Sequence, residues 1–193
     1  MISILIAGVG GQGTLLTSRI LGNLALNIGM DAKVSEVHGM AQRGGSVITY
    51  VRISKDHVFS PIIDDAGADI LLAFEKLEAC RALNFLKKDG MIIVNTQQIN
   101  PMPVITGMAD YPANTMDRLE QSGAKIIAAD ALGLAVSAGS QKTVNIVLLG
   151  VLASQMDIDK EIWLETLHKT IPPKMLDINL KAFELGYRQV NKT

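Results

Sequence analysis

The chain has 193 residues, 48% hydrophobic and 19% charged, which provides a sizeable core for one domain over residues 1–193 and is too short for two comfortable ones. Its formal net charge is −1, with 18 Lys and Arg residues spread along the sequence, so it lacks the basic footprint of a nucleic-acid or anionic-membrane binder. A single cysteine, Cys80, excludes an internal disulfide and also an iron–sulfur cluster held by this chain alone, which takes about four thiolates.

No basic start precedes the first apolar run, so no secretory signal is expected and the protein is expected in the cytoplasm. That run, residues 2–7, is apolar except for Ser3 and bounded by Gly8, the pattern of a strand buried on both faces of a parallel sheet. Leu15, Leu16, Ile20, Leu21, Leu24 and Ile28 then recur at helical spacing and predict a helix over 14–28, with Gly29 beyond its end. Residues 32–37 read as a second strand, and up to this point the order is Rossmann-like.

The next segment departs from that order. Residues 46–54 are rich in β-branched and aromatic side chains and follow the second strand through a short loop. A parallel pair needs a crossover of roughly a dozen residues or more, so these two strands should pair antiparallel. Further strands are expected at 69–74, 91–95 and 125–129, with a helix over 75–87. Three of the six prolines fall between Gln97 and Pro112, which predicts an irregular or edge segment. Helical periodicity returns over 145–156, 160–169 and 173–190. The apolar stretch 144–156 is shorter than the ~20 residues of a membrane-spanning helix. The expected fold is α/β, a single Rossmann-like three-layer domain with a mixed sheet and a helical C-terminal third.

Gly8-Val9-Gly10-Gly11-Gln12-Gly13 fits G-x-G-x-x-G between a strand and a helix, and Thr14 opens that helix. Without Cβ atoms the backbone turns tightly, its N–H groups approach an anion, and the positive end of the helix faces it. Gly8, Gly10, Gly11, Gln12, Gly13 and Thr14 are therefore the candidate ligand-binding residues. Three readings stay open. Glu36 lies 23 residues after Gly13, near the place of the acidic residue that binds an adenosine ribose in NAD and FAD sites. Against this, the hairpin replaces the usual second helix, and no second mononucleotide-binding half is apparent. A phosphate-bearing ligand such as coenzyme A would use the same N–H groups. In the third reading the glycines only let strand and helix pack closely.

His38-Gly39-Met40-Ala41-Gln42-Arg43-Gly44-Gly45 places a histidine, a glutamine, an arginine and three glycines in one connection. A solvated loop is one reading. In the other, Arg43 presents its planar fork to a carboxylate or phosphate beside N–H groups freed by Gly44 and Gly45, with His38, Gln42 and Ser46 in the same partner-facing or active-site loop.

Three stretches, residues 4–13 (ILIAGVGGQG), 36–45 (EVHGMAQRGG) and 145–150 (NIVLLG), carry a family resemblance in this order. Over most of residues 1–190 the chain resembles the gamma subunit or domain of the 2-oxoacid:ferredoxin oxidoreductases. Met40-Ala41-Gln42 before Arg43 favours the indolepyruvate ferredoxin oxidoreductase branch, whose small chain is the beta subunit. The resemblance implies a complex that oxidatively decarboxylates an arylpyruvate such as indolepyruvate, passes the acyl group to coenzyme A and reduces ferredoxin. It also implies that thiamine diphosphate and the iron–sulfur clusters sit on a larger alpha subunit. This chain would then support assembly and coenzyme A binding, and would be inactive alone.

No general acid, base, nucleophile or metal site emerges from the residues themselves. Two other classes remain open: a stand-alone NAD- or flavin-dependent oxidoreductase, and a non-enzymatic ligand-binding or interaction module. His57 and His168 are isolated and read as solvated or structural. Cys80 reads as a small apolar core thiol on the helix over 75–87, and Asp64-Asp65 as a solvated turn. Asn145 either caps its helix or faces the glycine turn.

Overall fold

A computed structural model describes residues 1–38 and 45–189, which build a six-stranded sheet in the order β2-β3-β1-β4-β5-β6. The strands are β1 (Ile2–Val9), β2 (Asp31–His38), β3 (Ser46–Ser54), β4 (Ala68–Ala73), β5 (Leu86–Asn95) and β6 (Lys125–Ala129). β3 lies between β1 and β2 and is antiparallel to both, while β1, β4, β5 and β6 are successively parallel. The expected hairpin is present, and it makes β2 an edge strand one place removed from β1.

Alternation along β1 divides the interior into two cores. Ile4 and Ile6 face α1 (Thr14–Asn27) and the C-terminal helices α5 (Ala131–Ala138), α6 (Val144–Ala153), α7 (Lys160–Thr170) and α8 (Pro173–Gln189). Leu5 and Ala7 face the other side, where α2 (Lys76–Arg81) contributes Ala79 and Cys80, and α4 (Thr115–Glu120) contributes Leu119. The expected three layers are therefore present. Every residue of α6 is buried, since the helix is sandwiched between the sheet and α8. Among the described residues no helix is long and apolar enough to cross a membrane.

α6 and α8 meet backbone to backbone at two glycines. A Cβ added to Gly186 would lie 2.0 Å from the carbonyl oxygen of Val147, and one added to Gly150 would lie 2.2 Å from that of Phe183. Gly22, inside α1, is a different case. A glycine within a helix costs about 0.5–1 kcal/mol relative to alanine, yet a Cβ at Gly22 would meet only Val34 Cγ2, at 3.8 Å.

One expectation needs correction. The helix over 75–87 stops at Arg81 and gives way to a 3₁₀ turn at Leu83–Phe85 and then to β5, which begins at Leu86. Sheet pairing overrides helical periodicity there: Leu86 pairs with Ala68, the register shifts, and Met91 then pairs with Ile70. The proline-rich segment holds α3 (Met102–Ile105) and no strand, as its composition requires.

Candidate functional site

The glycine turn connects the buried end of β1 to α1, and its conformation depends on glycine at two positions. Gly11 has φ 98° and Gly13 φ 86°, a left-handed region closed to most side chains. Gln12 folds back into the turn, where its Oε1 accepts from the Val9 N–H at 2.7 Å and its Nε2 donates to the Phe74 carbonyl at 3.1 Å. Asn95 Nδ2 donates to the same carbonyl. The turn is thus tied across the sheet to the carboxyl ends of β4 and β5, the edge at which open α/β sheets bind ligands.

Asn145 closes the turn from behind. Its Nδ2 donates to the Gly13 carbonyl at 3.4 Å, and a Cβ on Gly13 would come within 2.8 Å of that nitrogen. α6 starts after Thr143 with no capping side chain, so of the two roles considered for Asn145, facing the glycine turn is the one observed.

Two clefts flank the turn. The first, about 370 Å³, is lined by Gly10, Gly11, Gly13, Thr14, Leu15, Glu36 and Val47. Among the described residues no lysine or arginine lines it, and α1 begins with no capping side chain, so its first N–H groups and the helix dipole form an electropositive wall. Glu36 is held in place: Thr14 Oγ1 and Thr49 Oγ1 both donate to its Oε2, each at 3.2 Å. The second cleft, about 270 Å³, lies across Gly11 and includes Gln12, Gln97, Ile99 and Lys142. A Cβ at Gly11 would meet no atom of the described residues within 4 Å, so that position stands open between the two clefts.

The candidate residues therefore divide. Gly10, Gly11, Gly13 and Thr14 line the first cleft, Gln12 is engaged within the turn, and Gly8 is packed against Phe74 and Thr14. Gln42, Arg43 and Gly44 lie outside the described residues, as does the side chain of His38. Gly45 joins the site, since its carbonyl accepts from the Gly10 N–H at 2.9 Å. Ser46 Oγ donates to Glu78 Oε2 at 2.5 Å.

Sequence reasoning missed the two carboxylates at the start of α2. Glu78 is buried, paired with Arg81 at 2.6 Å, and holds Ser46 at the start of β3. Glu75 is 1% exposed and accepts four hydrogen bonds: from the N–H groups of Leu77 and Glu78, which it caps, from the Ile99 N–H, and from the Tyr111 hydroxyl. Burial and the Glu75 contact push the Tyr111 phenol well above its ordinary pKa. Glu75 thereby fastens the segment from Ile99 to Tyr111, which borders the second cleft, to α2.

Cys80 sits on α2 with its Sγ donating to the Thr115 carbonyl at 3.3 Å, and burial raises its thiol pKa. The thiolate is the reactive form. The native chain should therefore resist an aromatic disulfide reagent at neutral pH and release one thiol per chain on unfolding; rapid labelling of the native chain would contradict this burial. His57 pairs with Asp31 at 2.8 Å and stays largely exposed. Among the described residues no group of three or more His, Cys, Asp or Glu is placed to hold a metal ion.

Residues 3–189 match the family model described as pyruvate ferredoxin/flavodoxin oxidoreductase. The chain belongs to this family. Within the pyruvate ferredoxin/flavodoxin oxidoreductase family it is 42% identical to the indolepyruvate oxidoreductase subunit IorB of Thermococcus kodakarensis, covering 96% of this chain and 94% of that one. Its fold matches a keto/oxoacid ferredoxin oxidoreductase gamma subunit from Geobacter sulfurreducens with a TM-score of 0.74 at 24% identity, each chain covered in full. It also matches 31% of a 2-oxoglutarate:ferredoxin oxidoreductase chain from Magnetococcus marinus with a TM-score of 0.76 at 18% identity. The same fold thus occurs both as a short separate chain and as part of a longer one.

Proposed function

We propose that this chain is the small subunit of a thiamine-diphosphate-dependent indolepyruvate:ferredoxin oxidoreductase, acting in the cytoplasm with a larger alpha subunit and, through the complex, with ferredoxin. The assembled enzyme converts an arylpyruvate and coenzyme A to the acyl-coenzyme A, carbon dioxide and reduced ferredoxin. One observation carries this reading: 42% identity along nearly the whole length of both chains to a subunit named for indolepyruvate. One cysteine cannot bind a cluster, so the clusters are assigned to the partner, and thiamine diphosphate with them.

Within the complex this domain, residues 1–193, binds the phosphates of coenzyme A at the glycine turn. The N-terminus of α1 supplies donors there, and Gly11 leaves the approach open. Arg43, two residues before Gly45 in sequence, contributes a cationic fork beyond the described lining of the first cleft, with His38, Gln42 and Ser46, in or bordering the same connection, beside the partner.

The test is to produce the chain alone and together with the larger subunit. The isolated chain should be colourless and inactive, and the complex should reduce ferredoxin with an arylpyruvate only when coenzyme A is present. In the complex, Gly11→Val puts a branched side chain over the approach and should weaken coenzyme A binding about tenfold or more, while Arg43→Lys separates fork geometry from charge. Stoichiometric flavin or nicotinamide on the isolated chain would overturn the reading. A Gly11→Val complex that assembles and binds coenzyme A like the wild type would remove the turn from it.

A further inference from the structure

We infer that the groove between α1 and the edge strand β2 holds the nucleoside arm of coenzyme A, an inference that rests on the proposal that its phosphates lie at the glycine turn. The groove encloses about 270 Å³ and shares Leu15 with the cleft beside the turn, so a ligand leaving that cleft along α1 enters it. Leu15, Leu26 and Val34 wall it and are 55%, 66% and 40% exposed, an apolar lining suited to a flat ring. Gly22 lies on its floor: a Cβ there would meet only Val34 Cγ2, at an ordinary contact distance of 3.8 Å, so close packing does not demand glycine and its absence of a side chain leaves a shallow notch. Arg19 stands on the rim and makes no hydrogen bond or ion pair with any described residue.

These features match one chemical class. A purine fits the notch over Gly22, and the phosphate on its ribose meets the Arg19 guanidinium, which recognises such groups with two parallel N–H donors. From Thr14 to Gly22 the helix advances about 12 Å, a distance that a ribose and a purine bridge from a diphosphate. The thiol-bearing arm then leaves the turn in the opposite direction, toward the second cleft.

Calorimetric titration of the assembled complex with coenzyme A, 3′-dephospho-coenzyme A and phosphopantetheine tests the inference. Gly22→Leu fills the notch and should raise Kd about tenfold for both nucleotide forms while leaving phosphopantetheine unchanged. Arg19→Gln should raise Kd for coenzyme A alone, bringing it to the value for the dephospho form. Gly22→Ala adds only a Cβ and should raise Kd for the nucleotide forms less than Gly22→Leu does. If Gly22→Leu binds coenzyme A normally while Gly11→Val does not, the groove is empty and the inference fails with the turn still in place. If neither variant affects binding, both readings fail. If Gly22→Leu instead weakens association with the larger subunit and spares coenzyme A binding, the notch receives a partner side chain and the inference is overturned. Equal loss with Gly22→Ala would assign the effect to the helix itself and likewise overturn it.

Discussion

Gly186→Ala should destabilise the chain by about 3–5 kcal/mol, or prevent folding outright, although alanine is the better helix former. The propensity gain of replacing glycine by alanine is about 1 kcal/mol. Against it stands a Cβ only 2.0 Å from the Val147 carbonyl oxygen, and the obstacle is backbone, with no side chain able to rotate away. α6 and α8 would have to separate, and with them the packing of Phe183 and Trp163, both fully buried, would loosen. Gly22→Ala is the control: it brings the same propensity gain with no atom closer than 3.8 Å and should be neutral or stabilising. Denaturant midpoints of the two variants should therefore move in opposite directions or by very different amounts. Equal and small shifts would mean that the α6–α8 contact tolerates a wider spacing than this geometry implies.

The second large effect is expected at Glu75. Glu75→Ala removes the acceptor of four donors at once, leaving two first-turn N–H groups of α2, the Ile99 N–H and the Tyr111 hydroxyl without their partner. A lost helix cap costs about 1 kcal/mol and each orphaned buried donor about 1–3 kcal/mol. Water reaches part of the vacated space, so a total of about 3–5 kcal/mol is expected. Glu75→Gln keeps an oxygen for the N–H groups and should lose less. The loss should be local before it is global, so limited proteolysis should cut the alanine variant between Ile99 and Tyr111 sooner than the wild type. A loss below about 1 kcal/mol with an unchanged cleavage pattern would show that Glu75 only caps α2 and does not fasten that segment.

Where the sequence was legible, the governing physics was local. The largely apolar run of β1, the glycines that need positive φ, and the periodicity of α1 lie within one stretch of about thirty residues, and the short link to Ser46 decides the hairpin by geometry alone. What stayed hidden was long-range or lacked contrast. Glu75 and Glu78 read as ordinary helix residues because their partners Ile99, Tyr111 and Ser46 lie 24, 36 and 32 residues away. α5 was missed because Ala-Leu-Gly-Leu-Ala-Val-Ser-Ala has no polar face to reveal a period. At residues 82–86 the demand of β4 for a neighbour outweighed a helical pattern that looks continuous in one dimension. The site followed the same division. Gly10, Gly11, Gly13 and Thr14 of the first cleft were readable from the motif, whereas Val47 joins them through strand pairing and the groove over Gly22 forms beside β2, which β3 displaces to the edge of the sheet.

That displaced order also constrains how the chain is made. β1 is the centre of the sheet, but its partners β3 and β4 follow it in the chain, and pairing is complete only after Ala73. At translation rates of about 5–20 residues per second, an uncharged apolar strand of eight residues waits roughly 3–13 s for its second neighbour. Through that interval Ile-Ser-Ile-Leu-Ile-Ala-Gly-Val has the composition of an aggregating segment. Truncated chains that stop short of β4 should therefore accumulate in the insoluble fraction, and the yield of native protein should depend on synthesis speed and chaperone supply more than its final stability would indicate.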